Sequence, residues 1–175
     1  NAAPKRPFYG WTIVVALGVT TILSYGTNQY LFGLLVEPLA REFGWDRASI
    51  ALAYSGVVLV SGLAGLVLGP IIDRLGARML LATGSLINGL SLLALAHVHG
   101  LVAFDLLWTL GIGLGSALTF YPVTMTVVAN WFARRRPQAF SALSFMGAFS
   151  STFTYPLAGL LIARFGWRDA VTILG

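Results

Sequence analysis

Six carboxylates and two histidines are all that 175 residues offer for metal binding or general acid–base work. Glu37, Glu42, Asp46, Asp73, Asp105 and Asp169 lie scattered, and His97 and His99 share one short loop. No pair among them has the spacing of a ligand set or an acid–base couple, so no metal and no cofactor is expected. The absence of cysteine removes thiolate chemistry and disulfides and leaves the compartment open. No nucleophile has a base in register, which argues against an enzyme. What remains is one charged decapeptide, Gly69 to Arg78 (G-P-I-I-D-R-L-G-A-R), and a set of amides, tyrosines and hydroxyls embedded in apolar runs. Such groups bind and gate.

The elements that must position them are long and apolar. Hydrophobic residues make up 57% of the chain and charged ones 10%, with a mean hydropathy of +0.82. No soluble core of this size could hide that surface. Uncharged stretches run 7–36, 48–72, 79–104, 106–133 and 137–163, each longer than the roughly 18 residues that mark a spanning helix. Five spans are expected, and a sixth begins near Asp169. The fold class is therefore an all-α membrane protein whose solvent is the lipid bilayer. The chain does not start with Met, and its last five residues, Val171 to Gly175, stop as the sixth run starts. It reads as a fragment truncated at the start of helix 6. The net charge of +5 sits in loops between spans, which speaks for membrane orientation and against nucleic acid.

Lys5, Arg6, Arg74, Arg78, Arg134, Arg135 and Arg136 fall on one side of the spans, and Arg41, Arg47, Arg164 and Arg168 on the other. The positive-inside rule makes residues 1–7 a cytoplasmic N-terminal segment and places the Gly69 to Arg78 loop on the same side. The decapeptide recurs ninety residues later, where Gly159, Ile162, Arg164, Gly166 and Arg168 repeat Gly69, Ile72, Arg74, Gly76 and Arg78. If the repeat unit holds three helices, the second copy is inverted in the bilayer. The expected half-domain is 8–175, with repeat one about 8–98 and an incomplete repeat two about 101–175.

Span 1, about Trp11 to Val36, places Thr21, Tyr25, Asn28, Gln29 and Phe32 on one helical face. Its amides need partners from a neighbouring helix or a water-filled cavity, because lipid offers none. Interhelical bonding and cavity lining are both open readings. Span 5 is rich in hydroxyls, from Ser141 to Thr154. Tyr121-Pro122 and Tyr155-Pro156 place prolines inside apolar runs, where they bend a helix, and each tyrosine is a packing or a ligand-contact residue. Gly62, Gly65 and Gly69 in span 2, and Gly111, Gly113 and Gly115 in span 4, read as close-packing positions. Trp45 and Trp167 read as interfacial aromatics, and Asp46 or Ser49 as the cap of span 2. Asp105 reads as a capping or interfacial acid, with proton coupling as the alternative; the two histidines read as exposed loop residues, with pH sensing as the alternative.

The decapeptide resembles the signature between helices 2 and 3 of the major facilitator superfamily, G-x-x-x-D-[RK]-x-G-[RK]-[RK]. Gly69, Asp73, Arg74, Gly76 and Arg78 match it, and Ala77 departs from it. The resemblance implies the N-terminal six-helix half of a twelve-helix transporter, built from inverted three-helix repeats. It also implies that Asp73 ties the cytoplasmic ends of the two halves together in the outward-open state. A helix 4 arginine typical of drug/proton antiporters would fall at Leu107 and is absent. Tyr9-Gly10-Trp11, Phe43-Gly44-Trp45 and the run Trp131 to Arg136 look instead like the monocarboxylate transporter and oxalate/formate exchanger branch.

That branch implies a small organic anion moved by alternating access, with proton symport or anion exchange, and a missing C-terminal half that supplies cationic anchors. The resemblance carries a substrate-binding role onto Gln29, Tyr121 and Tyr155, to which the face of span 1 adds Tyr25 and Asn28. Animal monocarboxylate carriers place a lysine near the position of Gln29. A carrier of sugars, amino acids or drugs is the rival within transport, and a non-transporting membrane sensor or scaffold the rival outside it. The expected location is the plasma (inner) membrane, multi-pass, with the N-terminus cytoplasmic.

Overall fold

The computed structural model describes residues 9–132 and 135–175, and every element among them is helical. The 1–7 segment with Lys5 and Arg6, and Ala133 and Arg134 of the Trp131 to Arg136 run, lie outside the described residues. Five helices are long and apolar enough to cross a bilayer: α1 (Gly10–Phe43), α2 (Arg47–Leu75), α3 (Ala77–Leu95), α4 (Leu101–Trp131) and α5 (Arg136–Phe165). A sixth, α6, spans Trp167–Leu174.

Helix α1 runs past the Val36 expected as its end. Leu35 and Leu39 are buried one turn apart, and the Glu37–Arg41 pair at 2.7 Å bridges the same turn, so the helix continues through Pro38. It stops where Gly44 turns left-handed at φ 67°, its N–H reaching Ala40 O at 3.0 Å. Asp46 then caps α2, its carboxylate accepting from Ala48 N at 3.2 Å.

The two decapeptides end in the same local turn. Gly76 (φ 77°) closes α2 with its N–H on Ile72 O at 2.9 Å, and Gly166 (φ 83°) closes α5 with its N–H on Ile162 O at 3.0 Å. Both conformations are strained for any residue with a Cβ, and in each case the next helix starts one residue later.

Helix α4 is the packing centre, and its alternating glycines divide between two neighbours. A Cβ on Gly111 would meet Ser91 of α3, and one on Gly115 would meet Asn88 of the same helix. Gly113 faces the other way, where a Cβ would lie 3.2 Å from Val60 of α2, and its carbonyl accepts from Ser61 Oγ at 3.0 Å. This is close helix packing, as the spacing predicted. The glycines of α2 behave differently: nothing among the described residues lies within 4 Å of a Cβ built on Gly62, Gly65 or Gly69. Their stripe is open rather than packed.

Helices α1 and α5 cross closely at Gly26, which lies against Thr154, and Ser150 Oγ bonds the Ile22 carbonyl at 2.7 Å. The two tryptophans read as interfacial also join a tie between loops. Trp45 stacks on Phe43 at 4.4 Å, and Trp167, only 6% exposed, donates its indole N–H to Glu42. Arg168 pairs with Glu42 at 2.9 Å, donates to Val98 O at 3.2 Å and lies 4.7 Å over the Trp167 ring. One arginine thus joins the α1–α2, α3–α4 and α5–α6 connections. Asp105 caps nothing, since Gly100 is the N-cap residue of α4; its Oδ1 is buried without a hydrogen-bond partner among the described residues.

Candidate functional site

The site is set by a change of winding in α1. From Gly26 to Tyr30 the helix is a π-helix, whose bonds run i→i+5 and whose turn holds one residue more than an α-turn. In a regular helix Tyr30 would point about 140° away from Tyr25 at roughly 100° per residue. The wider turn brings it round, so that the two rings stand 6.2 Å apart. Gly26, without a side chain, sits against Thr154 where the π segment begins.

A tyrosine cluster results, drawn from three helices. Tyr25 lies 6.0 Å from Tyr121 and 5.0 Å from Phe120, and Tyr30 lies 5.1 Å from Tyr155. Tyr121 is presented by an interruption of α4: Phe120 is extended (φ −82°, ψ −176°), and helix resumes at Tyr121 with Pro122 in its first turn. Tyr155-Pro156, by contrast, lies within a continuous helical segment, Ser150–Phe165.

Beside the cluster, an open groove of about 420 Å³ is lined by Gln29, Tyr30, Phe32, Tyr54, Ser55 and Tyr155, together with Gly33 and Ala51. The Gln29 amide stands beside the Tyr54 hydroxyl in this lining. The lining offers an amide, a serine and three phenols over an aromatic floor, and no charged side chain. Such a surface can hold a small oxygen-bearing solute by neutral donors, while the countercharge for an anion must come from beyond it.

The five expected site residues therefore separate. Gln29 and Tyr155 share the groove, Tyr25 and Tyr121 stand in ring contact, and Tyr30 links the two pairs. Asn28 is 3% exposed and donates Nδ2 to Ser116 Oγ of α4 at 2.8 Å, so it serves the α1–α4 contact. The single face read from span 1 is likewise divided. Thr21 bonds its own helix at Leu17 O, 2.8 Å away, and Phe32 packs on Trp108 at 5.0 Å. Tyr30 and Tyr54 were missed: the first is off-face for an α-helical period, and the second is a lone tyrosine beside Ser55 in an aliphatic stretch.

On the decapeptide, Asp73, Arg74 and Arg78 are all exposed, and none forms an ion pair among the described residues. The opposite face, where Arg168 is engaged with Glu42, has the reverse character.

Residues 17–175 match the family model described as Major Facilitator Superfamily. The chain belongs to this superfamily. Monocarboxylate transporter 11 of Mus musculus is 33% identical over 99% of the chain, and that of Homo sapiens is also 33% identical over 99%. The 4-hydroxybenzoate transporter PcaK of Pseudomonas aeruginosa is 28% identical over the full chain. The superfamily chain spans 36–38% of the length of these relatives. All three are transporters by name, the class that the sequence favoured over an enzyme, and the resemblance to monocarboxylate transporters holds along nearly the whole chain. With five apolar helices of spanning length, this is an integral, multi-pass membrane protein.

Proposed function

We propose that the chain is the N-terminal half of a secondary transporter that moves a small organic anion by alternating access, with proton symport or anion exchange. The observation that carries this reading is the uncharged groove of Gln29, Tyr30, Tyr54 and Tyr155 between α1, α2 and α5. Its amide and phenol donors suit carboxylate oxygens, and the relatives' printed names include monocarboxylates and 4-hydroxybenzoate. Tyr25 and Tyr121 extend the site, and Asn28 supports it from behind through Ser116.

Cationic anchors would come from the C-terminal half, since no cation lines this groove. The open glycine stripe of α2 is a surface against which that half would close. Asp73, exposed and without an ion pair among the described residues, would latch the two halves on the cytoplasmic side, with Gly69, Arg74, Gly76 and Arg78 shaping the turn. The repeats at about 8–98 and 101–175, the cytoplasmic N-terminus and the plasma (inner) membrane complete the proposal.

The test is uptake of radiolabelled lactate, pyruvate, formate, oxalate and 4-hydroxybenzoate into proteoliposomes of the full-length parent, with and without a pH gradient. Gradient-driven accumulation supports symport, and counterflow that needs internal anion supports exchange. Uptake of none of them overturns the substrate class.

A further inference from the structure

We propose that Tyr54 contacts the transported anion directly, donating its hydroxyl proton to a carboxylate or hydroxyl oxygen; this rests on the organic-anion reading above. Tyr54 lines the groove from α2, opposite Gln29 of α1, and its ring is held 5.3 Å from Phe32, itself packed on Trp108 at 5.0 Å. A phenol has one proton to donate and lone pairs to accept with. The Gln29 amide stands beside the Tyr54 hydroxyl, and among the described residues no acceptor takes the phenol's proton. That proton, with the Gln29 amide N–H groups, is what the pair offers a solute.

Gln29 and Tyr54 face the groove together, the Phe32 contact holding the phenol ring and the phenol selecting the solute. Such a group discriminates against a ligand lacking the matching oxygen, because binding would leave a polar donor unpaired. Neighbouring Ser55 does not substitute for it, because its hydroxyl lies 3.5 Å from Ala51 O of its own helix.

The experiment uses the full-length parent in proteoliposomes with lactate and 4-hydroxybenzoate as probes. Tyr54→Phe keeps the ring against Phe32 and removes only the hydroxyl. The expected result is a KM raised about tenfold, with kcat within about twofold and an unchanged melting temperature. An unchanged KM overturns the assignment.

Cysteine labelling reads the same point without turnover. In a cysteine-free background, Tyr54→Cys and Gln29→Cys should both react with an anionic methanethiosulfonate and both be protected by a probe, whereas outward-facing Leu52→Cys, at a position 67% exposed, should not be protected. Protection at position 29 but not at 54 overturns the role of Tyr54 and leaves the anion reading standing. Protection at neither, with no uptake of any carboxylate by the wild type, overturns both.

Discussion

Asn28 is an amide that the bilayer interior tolerates only with a partner, and it has one on one side only. Its Nδ2 donates to Ser116 at 2.8 Å, while its Oδ1 is buried and unpartnered among the described residues. Ser116→Ala should lower stability by about 1 kcal/mol, within the range for polar contacts between membrane helices, and leave KM unchanged. Thermal unfolding in detergent, paired with uptake kinetics, checks this; a large KM change with no loss of stability would move Asn28 into the groove. Arg168 offers a second case. It combines an ion pair at 2.9 Å, a carbonyl bond at 3.2 Å and a face-on contact with Trp167. Lysine can mimic the charge but not the planar fork, so Arg168→Lys should recover less than half of the melting temperature lost in Arg168→Gln.

The element that matters most is the π segment of α1, a one-residue insertion absorbed within the helix. Leu31, Leu35 and Leu39 beyond it, and Val14 and Leu17 before it, are buried on either flank. Deleting Thr27 should let the segment revert to α winding while both flanks keep their packing. The expected outcome is a protein that still inserts and gives a single size-exclusion peak, with uptake reduced at least about tenfold because Gln29 and Tyr30 rotate within the turn. Uptake at the wild-type rate would detach the π segment from function. In α4 the helix also changes winding, between Leu107 and Ile112, a segment that holds Gly111 and leads into Gly113 and Gly115, the glycines that let α2 and α3 approach.

Across the whole molecule, the two faces of the bundle are unequal. One carries the Arg168 tie between three connections, and the other presents Asp73, Arg74 and Arg78 to solvent. In the proposed full-length carrier, Asp73→Asn should leave insertion and melting temperature intact and slow uptake several-fold, since the acid's proposed partner is the other half. Uptake rates and cysteine accessibility equal to the wild type would remove the latch. The carboxyl matters only through its charge in this scheme, so Asp73→Glu should recover part of the rate.

The sequence by itself determined the solvent, the number of spanning helices and the family, because these depend on sums over long stretches: hydropathy, charge-free length and one decapeptide with its echo. It also marked the alternating glycines of α4 as close-packing positions: Gly111 and Gly115, four apart, share the face against α3, and Gly113, two from each, faces α2. Only the tertiary structure decided which polar residues meet. Counting at 3.6 residues per turn put Asn28 and Phe32 on the face of Tyr25, but one extra residue in a π-turn divided that face. The same turn brought Tyr30 into the cluster. Tyr54 carried no periodic signal, and only the approach of α2 to α1 set it against Gln29. Trp167 and Arg168 looked like loop residues until the α5–α6 turn set them on Glu42, 125 and 126 positions earlier in the chain. Contacts over such separations depend on how helices cross, which no local pattern encodes.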